Sequence, residues 1–114
     1  MKRILMLAAM ALLLLSACGN KDQVKKPLVL LSEQQMVEVL ADSYLIEAEL
    51  NHRKSVGENV TALQEDYYRQ LFEHYGITDS IFEANLRYYT YQLPVLERIM
   101  DSVMQRFDAA QPKE

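Results

Sequence analysis

Leu31-Ser32-Glu33-Gln34-Gln35-Met36-Val37-Glu38-Val39-Leu40-Ala41-Asp42-Ser43-Tyr44 is the stretch that decides the fold. Ser32 stands three residues before Gln35, the spacing of a capping box, in which each side chain accepts a backbone N–H that a helix start leaves without a partner. Leu31 and Met36 bracket the box where a hydrophobic staple would sit. Met36, Val37, Leu40, Tyr44 and Ala48 then recur at 3.6-residue spacing. That periodicity predicts an amphipathic helix running to about Arg53.

Downstream, Lys54–Val60, with Gly57 and Asn59, reads as the one substantial loop. A second helix starts at Thr61, again with a glutamine, Gln64, three residues on. Val60, Tyr67, Tyr68, Leu71 and Tyr75 share a face with Phe72 on its flank, and Gly76 ends the run at the left-handed position that favours glycine. Thr78 caps a third helix with the inner stripe Phe82, Leu86, Tyr89 and Leu93. Pro94 suits the first turn of a fourth, which carries Val95, Leu96, Ile99, Val103 and Phe107 inward. Only three glycines and three prolines occur, and no segment alternates for long with the period of a strand. The expectation is an all-α domain over 31–108, a small three- to four-helix antiparallel bundle, followed by a polar tail at 109–114.

Upstream, Met1-Lys2-Arg3 leads into an unbroken apolar run from Ile4 to Leu15. A hydrocarbon core ~30 Å thick needs about 20 residues to span it, so this run suits a secretory signal better than a membrane helix. It closes on Leu15-Ser16-Ala17-Cys18, which resembles the lipobox of bacterial lipoproteins. The resemblance implies cleavage between Ala17 and Cys18, loss of the signal peptide 1–17, and diacylglyceryl and N-acyl chains on Cys18 that hold the protein to a membrane. One acyl chain binds a bilayer only marginally, whereas two signals give stable anchoring. Cys18 is the only cysteine, which rules out an intramolecular disulfide. The competing reading is a generic signal peptide or an uncleaved anchor, with Cys18 incidental.

Residues 18–30 would then be a lipidated, flexible tether. Gly19, in place of an aspartate after the cysteine, leans towards the outer membrane, with the periplasmic or surface face undecided. Without Lys2 and Arg3 the formal charge of −4 becomes −6 by subtraction of two cations. Such an acidic module has no general electrostatic attraction to nucleic acid or anionic lipid.

Tyr75-Gly76-Ile77-Thr78, then Phe82, Leu86 and Tyr88-Tyr89, followed by Pro94 and the helix of Ile99 and Val103, resembles the lipoproteins of Bacteroidota that carry domain of unknown function 4296. Met36 through Asp42 and Glu47-Ala48 fit the same pattern. Where members often place an acidic residue before the proline of the fourth helix, this chain has Leu93. The resemblance implies an exported helical domain and brings no assigned activity.

Two residue sets stand out as candidate sites. Glu47 falls within the Met36–Leu40–Tyr44 stripe, Asn51 follows one turn later, and an antiparallel hairpin would bring both to Gln64, with Tyr89 and Tyr91 at the same end. These residues suit a ligand pocket or an acid with a raised pKa. The favoured reading of Glu47 is a carboxylate at the edge of the core that accepts hydrogen bonds from tyrosine hydroxyls or reaches for solvent, because an unpaired buried charge is costly. The second set is Tyr88 and Tyr91 with Ile81 and Ala84. It is either the second buried side of a central helix or an exposed aromatic surface for an envelope protein partner. Met100 and Met104 give the fourth helix a similar second side.

Other chemistries find no support. His52 and His74 fall near opposite ends of the bundle, and neither an HExxH pair nor a CxxC occurs, so no metal and no cofactor are expected. A nucleophile–base pair is missing as well, which argues against an enzyme. The helix–glycine turn–helix of Leu63–Tyr91 superficially suits DNA binding. Its third helix offers one cation, Arg87, against Asp79 and Glu83, so no nucleic acid is expected. The function expected is that of a membrane-held interaction module of undecided oligomeric state. The alternative is a small envelope ligand-binder or enzyme centred on Glu47, Asn51 and Gln64.

Overall fold

A computed structural model describes residues 24–111 and the pair Lys2–Arg3. The expected signal peptide 1–17, the expected cleavage site between Ala17 and Cys18, the expected lipidation site Cys18 and the first part of the expected tether lie outside the described residues, apart from Lys2 and Arg3, as do residues 112–114. The domain is all-α: α1 is Glu33–Ser55, α2 Thr61–Tyr75, α3 Asp79–Thr90 and α4 Leu93–Ala110. Among the described residues there is no strand.

Local chemistry sets these boundaries. The capping box of α1 is complete: Ser32 Oγ accepts the Gln35 N–H at 3.1 Å and Gln35 Oε1 accepts the Ser32 N–H at 2.9 Å. After α1, the Gly57 and Glu58 N–H groups fold back onto the carbonyls of Lys54 and Arg53. Arg53 holds Glu49 at 2.7 Å and Glu58 at 3.2 Å across that bend. At the start of α2, Val60 is the capping position and supplies no side-chain bond; Asn59 Oδ1 instead accepts the Thr61 N–H at 3.1 Å. Gly76, at φ +66°, ends α2. The Ile77 N–H reaches back to the Phe72 carbonyl and the Gly76 N–H to that of Glu73, the paired bonds of a Schellman turn. Thr78 Oγ1 accepts the Ile81 N–H at 3.2 Å and opens α3. Pro94 sits in the first turn of α4, where a missing N–H costs nothing.

α1 and α2 are antiparallel. Tyr75 of α2 donates to Asp42 and Tyr68 donates to Glu47, so one number falls as the other rises. α1 and α4 run in the same direction: Arg98 pairs with Glu33 at 2.7 Å, and Phe107 packs edge-on against Tyr44 with ring centroids 6.3 Å apart. The reason lies in where α2 stops. It ends level with Asp42, more than two turns into α1, so α3 carries the chain on to Leu31 before α4 turns back along α1.

The main core gathers Leu31, Met36, Val37, Leu40, Ala41, Tyr89, Ile99 and Val103, with Phe82, Leu86, Tyr88 and Phe107 packed around it. Val39 and Leu50 of α1, with Val60 and Leu71, are also buried, on the α1–α2 side. Three expected core positions are not buried. Tyr44 is 44% exposed and Leu93 65% exposed, and Ala48 also faces solvent. A single 3.6-residue stripe assumes one neighbour; the first half of α1 has partners on several sides, its second half only α2, and Leu93 belongs to the start of α4 rather than to α3.

Candidate functional site

Three features combine chemistry with geometry. The first is a clamp. Asn85 is fully buried in α3; its Oδ1 accepts the Leu31 N–H at 2.8 Å, and its amide donates to the carbonyls of Val29 and Ile81, each at 2.8 Å. One turn on, the Tyr89 hydroxyl donates to the Leu31 carbonyl. Burial first, then the carboxylate of Glu33 and the neighbouring Tyr88, hold the Tyr89 hydroxyl above its ordinary pKa. The segment before α1 is therefore fastened from Val29, two residues before the expected start of the domain at 31. Asn85 was not singled out in the sequence. The signal for it is a lone amide between Ile81 and Tyr89, four residues from each on an otherwise apolar face.

The second feature is the seam of tyrosine–carboxylate pairs between α1 and α2. Glu47 accepts from Tyr68 and Asp42 from Tyr75. Burial, then the hydrogen bond to its partner, raises both hydroxyls, Tyr75 to about 12 and Tyr68 further in the same direction. Glu47 is thus the core-edge carboxylate satisfied by a tyrosine. It lines a cleft of about 390 Å³ walled by Leu40, Ser43, Tyr68, Phe82, Leu86 and Met100. Asn51 and Gln64 do not join it; both are exposed, and Gln64 borders a separate shallow site with Thr61, Glu65 and Tyr68. Tyr89 does not share that end either: its hydroxyl meets Leu31, ahead of the first turn of α1, because α3 continues past Asp42 instead of turning back.

The third feature is an open groove of about 610 Å³ along the outer side of the same seam. Leu45, Ile46, Leu71 and Tyr67 give it an apolar floor, and Asp42, Glu49, Gln70 and His74 form its rim. Leu45 is 58% exposed there. His52 lies near the far end of α1, so the two histidines do not meet. Among the described residues no cluster of histidine, cysteine or carboxylate side chains could hold a metal ion.

The aromatic surface expected on α3 divides. Ile81 and Tyr88 pack against the core, Tyr88 edge-on to Tyr89 at 5.3 Å, and Ala84 is half-buried. Tyr91 alone is open, at 67% exposed. Of the expected surface, Ile81 and Tyr88 are thus half-buried against the core and Tyr91, just past the end of α3, is exposed.

The family model described as Domain of unknown function (DUF4296) matches residues 27–113. The chain belongs to the DUF4296 family. The match begins two residues before Val29, so the DUF4296 domain takes in the clamped segment as well as the four helices. No curated protein and no solved structure matches the chain. Among the described residues, no helix of this DUF4296 protein is long and apolar enough to cross a membrane.

Proposed function

We propose that this DUF4296 chain is a lipid-anchored envelope protein, held by diacylglyceryl and N-acyl chains on Cys18 at the outer membrane, and that it acts by binding rather than by catalysis. The observation that carries the binding role is the α1–α2 groove, which leaves Leu45 exposed beside a half-buried Ile46 and Tyr67 in a module of this size. Apolar floors with polar rims are the general make-up of recognition sites. The rim carboxylates are already engaged, Asp42 by Tyr75 and Glu49 by Arg53, so the occupant that suits the groove is an apolar partner segment. The anchoring half rests on Leu15-Ser16-Ala17-Cys18 and its short apolar leader.

A photoreactive residue at position 45, introduced in intact cells, tests the binding role. It should give one discrete protein adduct, lost when Ile46→Glu is added, while the same residue at the exposed position 101 gives none. Identical patterns from both positions would remove the groove from consideration. Mass spectrometry of the N-terminus tests the anchor separately: a bare thiol or an intact leader would end it.

The second reading, a small-ligand site at Glu47, is favoured by the 390 Å³ cleft alone. Glu47 is already engaged by Tyr68, and two of the three residues expected to form the site lie outside the cleft.

A further inference from the structure

We propose that the end of the bundle at which the chain enters lies directly on the lipid surface, so that Lys25–Leu30, Tyr91 and Leu93 form a second, interfacial membrane contact. This extends the anchoring reading above and rests on it. Among the described residues nine large apolar side chains are exposed, and five of them, Leu28, Val29, Leu30, Tyr91 and Leu93, collect at this one end. The placement follows from bonds already described. Asn85 and Tyr89 fix Val29 and Leu31 to α3. Arg98 reaches both Glu33 and the Pro94 carbonyl, which sets the start of α4 beside the start of α1.

Three observations select lipid as the occupant. First, the route to the proposed anchor leaves the domain here. About ten residues separate Cys18 from Leu28; such a chain spans roughly 35 Å at full extension and averages nearer 17 Å when flexible. α1, with 23 residues, is about 34 Å long at 1.5 Å per residue. A tether shorter on average than the bundle keeps this end nearest the bilayer.

Second, the charges suit a headgroup layer. Lys25 and Lys26 are exposed immediately before the apolar run, and cations next to a bilayer are drawn to anionic lipid. Glu33 is paired with Arg98, which leaves Glu97 as the uncompensated carboxylate of the first turns of α1 and α4.

Third, the side-chain types match the interface. Tyrosine is enriched at headgroup depth, and leucines beside lysines allow apolar stems to enter while charges stay in water. Leu28 gains nothing from the fold, being fully exposed, so its burial in lipid is uncompensated gain.

The chain contains no tryptophan, so single-tryptophan reporters are clean. Full-length protein carrying Leu93→Trp or Val56→Trp, the latter at the far end of α1, is reconstituted into phosphatidylethanolamine–phosphatidylglycerol vesicles with brominated acyl chains. Fluorescence of the Leu93→Trp chain should shift to the blue and be quenched at least twofold more than that of the Val56→Trp chain. Adding Leu28→Ser and Leu30→Ser to the Leu93→Trp chain should reduce that quenching. Equal quenching at 93 and 56 overturns the contact. An intact leader found by mass spectrometry, with strong quenching at 93, overturns the lipid anchor and leaves the contact standing. A chain that does not float with the vesicles overturns both.

Discussion

Asn85 and Leu31 are joined across 54 positions of sequence by a hydrogen bond of 2.8 Å, and the same amide side chain takes hold of Val29 on the other side. A single buried asparagine thereby does for an extended segment what a neighbouring strand does in a sheet, satisfying one N–H and one carbonyl in turn. Asn85→Ala strands the Leu31 N–H where water does not reach. An unsatisfied buried polar group costs about 1–3 kcal/mol, so urea unfolding should show a loss of roughly 2–3 kcal/mol. Hydrogen exchange at the Leu31 amide should rise well beyond the global change. Asn85→Asp keeps the acceptor but aims a carboxylate at two carbonyl oxygens, and should be at least as destabilising at neutral pH. Unchanged stability in both variants would mean the clamp contributes nothing.

Gly76 illustrates a cost of a different kind. Its φ of +66° is the left-handed conformation, yet a Cβ added there meets no atom within 4 Å. Gly76→Ala should therefore cost only the backbone penalty, about 1 kcal/mol, and Gly76→Asn less, because asparagine tolerates that region. Thermal unfolding with a two-state fit measures both. A loss several times larger would show that the α2–α3 turn is packed more tightly than its geometry indicates.

The helices and their ends were legible because local chemistry writes them: Ser32 with Gln35, Gly76 and Thr78 each act within a few residues of their own position. The all-α bundle followed from that. Site geometry was less legible, because it depends on where a helix stops relative to its neighbour. Tyr75 meets Asp42 rather than the first turn of α1, and that offset sends Tyr89 to Leu31 instead of towards Glu47. The bond between Glu47 and Tyr68 could be anticipated as a type of contact but not as that pair. Asn85 escaped notice because one amide on an apolar face has no periodicity of its own. The groove at Leu45 escaped because a stripe running through Met36, Leu40 and Tyr44 treats its flank as solvent.

Tyr88 and Tyr91 should part company on mutation. Tyr88 packs against the core and Tyr89, whereas Tyr91 is two-thirds exposed. Tyr91→Ala should fall within about 0.5 kcal/mol of the parent. Tyr88→Ala removes a half-buried ring and should cost roughly 2 kcal/mol, below the 3–5 kcal/mol typical of a fully buried aromatic. Denaturant melts of the two single variants decide the matter, and equal losses would contradict the division of that face.

Alkaline pH offers a test of the α1–α2 seam. Tyr75 is raised to about 12, by burial first and the Asp42 hydrogen bond second; Tyr68 and Tyr89 are raised in the same direction. In the unfolded chain tyrosine ionises near 10. A group whose folded pKa is raised contributes stability that is complete below its unfolded value and is lost as pH climbs to its folded value. Stability should therefore hold up to about pH 10 and fall between there and about 12. Tyr75→Phe should start from a lower stability at neutral pH and decline less steeply through that window. In Asp42→Asn the Tyr75 transition, followed by absorbance near 295 nm as a difference from the Tyr75→Phe background, should move down. It should not return to the free-tyrosine value, because burial, the largest single cause of the shift, remains. A Tyr75 transition at the free value in the parent protein would show that the seam leaves this hydroxyl open to water.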